Sequence, residues 1–326
     1  MTPDFQIIVA GDDATGGIAD RLLSLSITDE DGDKADRLEL EVDDRDGAVA
    51  YPDMEATLEV SLGFKGQALA FMGRFTVDGV SGQGPAQSLK ITATAADLKG
   101  DIRSPQTRAF EGKTLSDIVA TIAGEAGLKP VVGESVASTF WAYLAQTAES
   151  NLHFLTRIAG TLDATAKPTG GALIVQRRGD GKTAAGDVLT APVLTPSSLS
   201  SWTWKQEGRE TFKAVEGEWQ ATGVGSLNKV KLGEGTPLRK LRHVYGTEDE
   251  CKRAVDAALK GAARAAMSIS ADLAGFDAGL LAGATVTLSG MTRAELDGDW
   301  QLGTVTHRLS GDGLTTSFKA KKGASE

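Results

Sequence analysis

Apolar and polar residues alternate through two widely separated stretches of this chain, and the two read alike. The first runs Ala56-Thr57-Leu58-Glu59-Val60-Ser61, then Gly73-Arg74-Phe75-Thr76-Val77, then a Ser/Gly-rich turn and Leu89-Lys90-Ile91. The second runs Ala284-Thr285-Val286-Thr287-Leu288-Ser289, then Gly298-Asp299-Trp300-Gln301-Leu302, a turn at Ser310-Gly311-Asp312-Gly313, and Leu314-Thr315-Thr316-Ser317-Phe318. A period of two sets one face of a strand on a core and the other in water. From Gly73 and Gly298 onward the copies keep one offset of 225 residues, pairing Phe75 with Trp300, Val77 with Leu302, Val80 with Val305 and Leu89 with Leu314. A repeat so widely spaced predicts two related β-domains, since a solenoid repeats every 20–50 residues or so.

The remaining elements fall around these copies. Phe5–Ala10 and Leu22–Thr28 are apolar enough for strands, and Leu38, Leu40 and Val42 alternate with Glu39, Glu41 and Asp43. About six strands before residue 100, joined by short Gly/Asp turns, make a small antiparallel barrel or sandwich. The pattern changes near Ala96. Thr114 and Asp117 can cap a helix whose face is Ile118, Val119, Ile122, Ala123 and Ala126, stopped by Gly127. A second helix is expected from Ser150, with Leu152, Leu155, Ala159 and Leu162 on one face. Leu173-Ile174-Val175 resumes β structure, and 179–201 is a Gly/Pro/Ser/Thr-rich connector. Strands return at Ser201-Trp202-Thr203-Trp204 and at Phe212 to Trp219. Thr247 and Glu250 then form a capping box ahead of Cys251, Ala254, Val255, Ala258, Leu259, Ala262, Ala265 and Ala266. The many alanines would let that helix lie close over a sheet or barrel end.

The expected fold is mainly β with an α+β insertion: two tandem related small β-barrels, a small α/β module between them and a helix inserted in the second barrel. The expected boundaries are 1–99 for the first barrel, 100–178 for the module and 179–326 for the second barrel, with the inserted helix at about 248–266.

Composition narrows the function. A length of 326 residues suits roughly two domains. The 39 glycines fit a turn-rich β protein, and the single cysteine, Cys251, excludes an internal disulfide framework. The N-terminus lacks the basic start and apolar core of a signal peptide. No apolar run approaches the roughly 20 residues that span a bilayer, so folding in a cytoplasm without membrane insertion is expected. The formal net charge of −10 opposes sequence-specific nucleic-acid binding, which needs clustered Lys and Arg. An acidic surface suits instead a wall that DNA slides past.

No pattern for chemistry stands out. Asp29-Glu30-Asp31-Gly32-Asp33 could place alternate carboxylates on a calcium ion, but an EF-hand counted from Asp29 would need glycine at Lys34 and glutamate at Leu40. A tight acidic turn between strands is expected. The three histidines, His153, His243 and His307, lie far apart without metal-ligand spacing and are expected to be solvated or half-buried. Cys251 falls on the apolar helix face, as a small core residue would. Gly181-Lys182-Thr183 imitates the end of a phosphate loop, but Gln176 stands where the motif needs glycine. Arg177, Arg178, Arg239, Lys240 and Arg242 make small basic spots suited to protein contacts or solvent. The expectation is no catalytic residue, no cofactor and no metal, with interface residues unassigned.

The order of parts then resembles a known family. Thr94-Ala95-Ala96-Asp97-Leu98 closes the first strand-rich region. Gly112-Lys113-Thr114-Leu115-Ser116-Asp117-Ile118 and Ala123-Gly124-Glu125-Ala126-Gly127-Leu128 follow. Next comes Gln146-Thr147-Ala148-Glu149-Ser150-Asn151-Leu152-His153-Phe154-Leu155-Thr156-Arg157-Ile158-Ala159, and the chain closes with Gly298-Asp299-Trp300 and Val305-Thr306-His307-Arg308-Leu309. This resembles the phage late control D family, the baseplate hub of contractile tails, and is similar to the N-terminal part of type VI secretion VgrG proteins. The most specific piece is Gln146 to Ala159, where the family usually has Asp at the place of Asn151.

The resemblance implies a virion structural protein, a homotrimeric ring at the end of the tail tube. Two barrels per subunit would give six around the axis, adapting a sixfold tube to a threefold spike and lining the channel. It implies as partners the tail tube or a tube-initiator ring, a trimeric central spike protein, baseplate wedge proteins and the C-terminus of the tape-measure protein. The place is the tail baseplate of a virion or phage-tail-like particle, assembled in the bacterial host cytoplasm. No further barrel or β-helical needle follows the second barrel, so the spike is expected as a separate protein. Two other readings stand beside it. One is a tail-associated cell-wall glycosidase or peptidase using carboxylates such as Glu216 or Glu218, for which a retaining pair would sit about 5–5.5 Å apart. The other is a β-sandwich carbohydrate-binding module stacking sugars on Trp202, Trp204 and Trp219.

Overall fold

Strands from both ends of the chain share one hydrogen-bonded ladder. The computed structural model describes residues 1–32, 34–85, 87–95, 102, 104–169, 171–178, 192–206, 212–221, 223, 225–265 and 267–322. The N-terminal elements are β1 (Pro3–Val9), β2 (Asp12–Asp13), α1 (Thr15–Ile18), β3 (Leu22–Glu30), β4 (Arg37–Asp43), β5 (Thr57–Phe64), β6 (Ala70–Gln83) and β7 (Ser88–Ala95). Then come β8 (Pro105–Thr114), α2 (Leu115–Glu125), β9 (Lys129–Val132), α3 (Glu134–Ala137), β10 (Phe140–Ser150), α4 (Asn151–Gly160), β11 (Ala164–Thr169) and β12 (Ala172–Arg177). The rest is β13 (Val193–Leu194), β14 (Leu199–Gln206), β15 (Ala214–Trp219), β16 (Asn228–Gly233), β17 (Leu238–Tyr245), α5 (Glu248–Ala265), β18 (Met267–Leu273), β19 (Thr285–Leu288), β20 (Gly298–Ser310) and β21 (Gly313–Lys322). The chain is mainly β.

The first six long strands pair in the order β1-β5-β6-β7-β4-β3, and the C-terminal ones pair as β13-β19-β20-β21-β18-β14. Alternation explains each ladder: Leu38, Leu40 and Val42 of β4 are buried beside Leu58, Val60, Phe75, Val77 and Ile91. Val286, Trp300, Leu302, Val305 and Phe318 make the corresponding C-terminal core. Irregularities recur too. The β6–β7 ladder bulges between Val77 and Gly79, and the β20–β21 ladder between Leu302 and Thr304, at the same offset of 225 residues. The β3–β4 ladder slips between Leu22 and Ser24, and β14–β18 between Leu199 and Ser201. Val77 donates its N–H to Ala56 O and accepts from Glu55 N, while Leu302 donates to Ala284 O and accepts from Gly283 N. Glu55 and Gly283 both have positive φ, 67° and 84°. One pairing differs: β1 runs antiparallel to β5, but β13 runs parallel to β19.

Two features depart from the sequence expectation. Closed barrels were expected, yet among the described residues neither group closes on itself. The free edge of β20 is instead taken by β3, antiparallel from Thr304 opposite Glu30 to Ser310 opposite Ser24. One sheet therefore passes through both groups.

The second departure concerns what interrupts the C-terminal group. A lone helix was expected, but β15, β16 and β17 form a separate three-stranded sheet, order β16-β15-β17, under α5. Val215, Val230, Cys251 and Val255 are its buried core. Gly217 sets the spacing. A Cβ there would lie 2.7 Å from Cys251 Sγ and 2.8 Å from Val255 Cγ2, so only glycine lets the helix lie this close.

Between the two groups, β8 pairs β10, and β11-β12-β9 make a second small sheet. Ile118, Val119 and Ile122 of α2 and Leu152, Phe154, Leu155 and Ile158 of α4 fill the core they share with Leu173 and Val175. The predicted cap of α2 is present: Thr114 Oγ1 accepts from Asp117 N at 3.2 Å and Asp117 Oδ2 accepts from Thr114 N at 3.0 Å. The expected boundaries near 99/100 and 178/179, the Gly181-Lys182-Thr183 turn, Asp97 and Ala266 fall outside the described residues.

Candidate interaction surfaces

The segment Gln146 to Ala159 builds a polar network. Gln146 and Asn151 are both fully buried. Arg108 on β8 donates to Gln146 Oε1 and to Asn151 Oδ1, each at 2.9 Å, and grips Glu125 at the end of α2 with both guanidinium nitrogens. Asn151 Nδ2 donates to Glu125 Oε2 at 3.2 Å, and Gln146 Nε2 donates to Asn151 Oδ1 at 3.0 Å and Glu149 O at 2.9 Å. The Arg108 hydrogen bonds hold the Glu125 carboxyl below its usual range. Arg157 in turn holds Glu149 at 3.0 Å and Ala145 O at 3.0 Å. These bonds pin two helices to a hairpin. Their donors and acceptors are spent on one another, which is the arrangement of a fold support.

The acidic stretch after β3 also has a structural use. Lys167 on β11 pairs with Asp29, with Asp36 at 2.7 Å, and donates to Glu30 O at 2.7 Å. Arg178, after β12, pairs with Asp31. Asp29 Oδ2 accepts from Ala282 N at 2.8 Å, reaching the C-terminal group as well. The turn expected between strands lies at Asp31 and Gly32, but Asp29, Asp31 and Asp36 point into a joint between three parts of the chain rather than into water. Burial, with Asp29 nearby, pushes the Asp36 carboxyl up to about 7. Burial depresses and the two carboxylates raise Lys167, which ends above its usual value. Side-chain cations occupy the place a calcium ion would need, and no cluster of metal-ligating side chains occurs among the described residues. Nothing in the spacing of Lys167 or Arg178 marks them as partners, because their carboxylates lie more than a hundred residues away.

The other candidates separate. His153 and His243 are exposed, but His307 is fully buried, against the expectation of a solvated or half-buried ring. It occupies an inward position of β20, where Thr316 Oγ1 lies 3.0 Å from Nδ1 and Phe276 packs edge-on. Burial lowers its pKa. Glu216 binds Lys229 at 3.2 Å and Lys240 at 3.5 Å, and Glu218 binds the same Lys229 at 3.7 Å. The Lys229 hydrogen bond holds Glu216 below its usual range, the wrong direction for a general acid. Trp202 and Trp204 lie on β14 whereas Trp219 lies on the separate β15 sheet, so the three do not share one strand face. Arg239 covers Phe212 and Lys240 pairs with Glu216, while Arg178 pairs with Asp31.

A cleft of about 160 Å³ lies between Trp141, Leu144 and Arg157 on one side and His243, Tyr245 and Glu250 on the other. What the surface offers most openly is strand edge. Among the described residues β14 ends the main sheet without a neighbour on its outer side, and its Thr203 and Trp204 are exposed. Among the described residues the last part of β6, past its pairing with β5, pairs with β7 alone, and Ser81, Gly82 and Gln83 are exposed.

Comparison with known proteins points one way. Residues 73–313 match the family model for the phage tail baseplate hub (GPD). The chain is 30% identical to the probable baseplate hub protein of Escherichia phage P2, over 98% of this chain and 93% of that one. The 43 kDa tail protein of prophage MuSo2 from Shewanella oneidensis has the same fold, with a TM-score of 0.73 at 14% identity over 98% of both chains. An E. coli component of the type VI secretion system, described as similar to phage T4 tail proteins gp27 and gp5, aligns with a TM-score of 0.58 at 12% identity, over 94% of this chain and 74% of that one.

Proposed function

Since the chain belongs to the phage tail baseplate hub family and is a VgrG-like structural protein of the tail baseplate, we propose that it works as a homotrimeric ring with two related β units per subunit. Six such units around the axis would meet the sixfold tail tube, or a tube-initiator ring, on one side. A trimeric central spike protein would sit on the other, with baseplate wedge proteins outside and the C-terminus of the tape-measure protein reaching the channel. In this reading the units are residues 1–99 and 179–326, with 100–178 between them. The β15–β17 sheet and α5 decorate the second unit.

The observation that carries the proposal is the coincidence of irregularities. Two ladders in each group slip at equivalent places, and the same alanine carbonyl and positive-φ residue flank the same strand. Ordinary strands share alternation, but shared bulges mark a shared architecture. A trimer presents six similar surfaces only when each subunit carries two. The acidic net charge suits a channel wall that does not hold DNA.

Native mass measurement of the purified protein, alone and with its spike partner, tests the proposal. A threefold mass is expected. A protein that stays monomeric in both conditions overturns it.

A further inference from the structure

Among the described residues, one strand junction joins the two β units, and no strand pairs with either edge that a second, equivalent junction would need. The built junction joins β3 of the first unit to β20 of the second, from Thr304 opposite Glu30 to Ser310 opposite Ser24. It covers Leu25, Ile27, Val305, His307 and Leu309, all buried. Its side chains also meet, with Thr304 Oγ1 donating to Glu30 Oε2 at 3.0 Å.

The matched bulges fix what corresponds to each side. Leu25 lies opposite Leu40, and Trp202 opposite Ala271; Leu40 faces Ile91 and Ala271 faces Phe318. Ile91 and Phe318 face Val80 and Val305. β14 is therefore the counterpart of β3, with Trp202 standing for Leu25 and Trp204 for Ile27. The end of β6 is the counterpart of the covered part of β20, with Val80 standing for Val305 and Gly82 for His307. Where Ile27 and His307 are buried, Trp204 is 40% exposed and Gly82 is exposed. Among the described residues, no strand pairs with β14 or with the end of β6 on the side that its counterpart has covered.

We propose that β14 of one subunit pairs antiparallel with the end of β6 in the next, repeating between chains the β3–β20 junction within the chain. The transferred register sets Val80 against Gln206, Ser81 against Lys205, Gly82 against Trp204 and Gln83 against Thr203. Side chains fit this register: Gly82 offers no side chain, so the Trp204 ring opposite it has room to lie across the neighbouring strand. The partner is a second copy of this chain. Such a head-to-tail contact closes into a ring when the rotation between units divides a full turn. Covering these edges also removes the aggregation hazard of a bare strand. The inference rests on the trimeric reading above and adds where the subunits meet.

Paired cysteines test it. Opposed residues in neighbouring strands lie within the Cα separation a disulfide spans. The variant carrying Gln83→Cys and Thr203→Cys is oxidised with copper–phenanthroline and run on a non-reducing gel, and native mass is measured before oxidation. Expected is a threefold native mass and a covalent trimer, with Gln83→Cys alone and Thr203→Cys alone staying uncrosslinked. The variant Ser81→Cys with Ser201→Cys, four residues out of register, is also expected to stay uncrosslinked. A threefold native mass without the in-register crosslink, or with equal crosslinking out of register, overturns this junction and leaves the trimer standing. A monomeric mass for both the variant and the unaltered protein overturns both.

Discussion

Lys167 Nζ lies 2.7 Å from Asp36 Oδ1 and also pairs with Asp29, so one ammonium serves two carboxylates from a different part of the chain. All three side chains are mostly buried. Removing the cation strips two buried carboxyls of their shared partner, and Lys167→Met is expected to destabilise the protein by about 3–5 kcal/mol at neutral pH. Urea unfolding at pH 7.5 measures this. The deficit should shrink at pH 5, because Asp36 takes up a proton more readily when folded than when unfolded.

Asp36 and His307 give opposite pH dependences. With its folded pKa at about 7 and an unfolded value near 3.9, Asp36 binds a proton on folding throughout that window, so acidification from pH 8 to 5 contributes stability. His307 has a folded pKa below its unfolded value of 6.5, so the unfolded chain protonates first. Its contribution is full above about pH 6.5 and falls as pH drops. Asp36→Asn should therefore make the protein lose stability more steeply on acidification than the unaltered chain. Chemical denaturation at several pH values, with the imidazole midpoint followed by NMR, checks both signs.

Asn151→Asp would set a second carboxylate beside Glu125, where the amide nitrogen now donates at 3.2 Å. A cost of about 1–3 kcal/mol is expected, read from the urea midpoint. Glu125→Gln in the same chain should restore much of it by supplying a donor. No recovery in the double variant would mean that the amide–carboxylate contact is not what Asn151 provides.

Gly217→Ala should lift α5 from its sheet, since the added carbon would meet Cys251 and Val255 at under 3 Å. The expected cost is about 1–3 kcal/mol. The buried Cys251 thiol gives an independent readout: its reaction with a thiol reagent should speed up in the variant.

Some of this was legible in the sequence and some was not, for physical reasons. Leu38, Leu40 and Val42 announced a half-buried strand, and Thr114 with Asp117 announced a helix start, because alternation and capping are local. The counterparts Phe75 and Trp300 were legible because both copies keep the same spacing from Gly73 and Gly298. The β3–β20 ladder was not, since partner choice at long range leaves no local mark. For the same reason Val215 reads as part of the second barrel although its strand belongs to a separate sheet. The Gln146–Ala159 motif announced the family, but only its folded form shows that its polar residues support helices.

The pairing of β3 with β20 has a consequence for synthesis. Thr304 lies 274 residues after Glu30, and a ribosome adding about 5–20 residues each second needs roughly 14–55 seconds to cover that distance. Throughout that interval the nascent chain carries a finished N-terminal sheet with one raw side, in a cell making many copies from the same message. Delayed covering of that side by the chain's own tail, or its capture by a neighbouring nascent chain, is a kinetic branch point that translation speed through residues 100–300 would set.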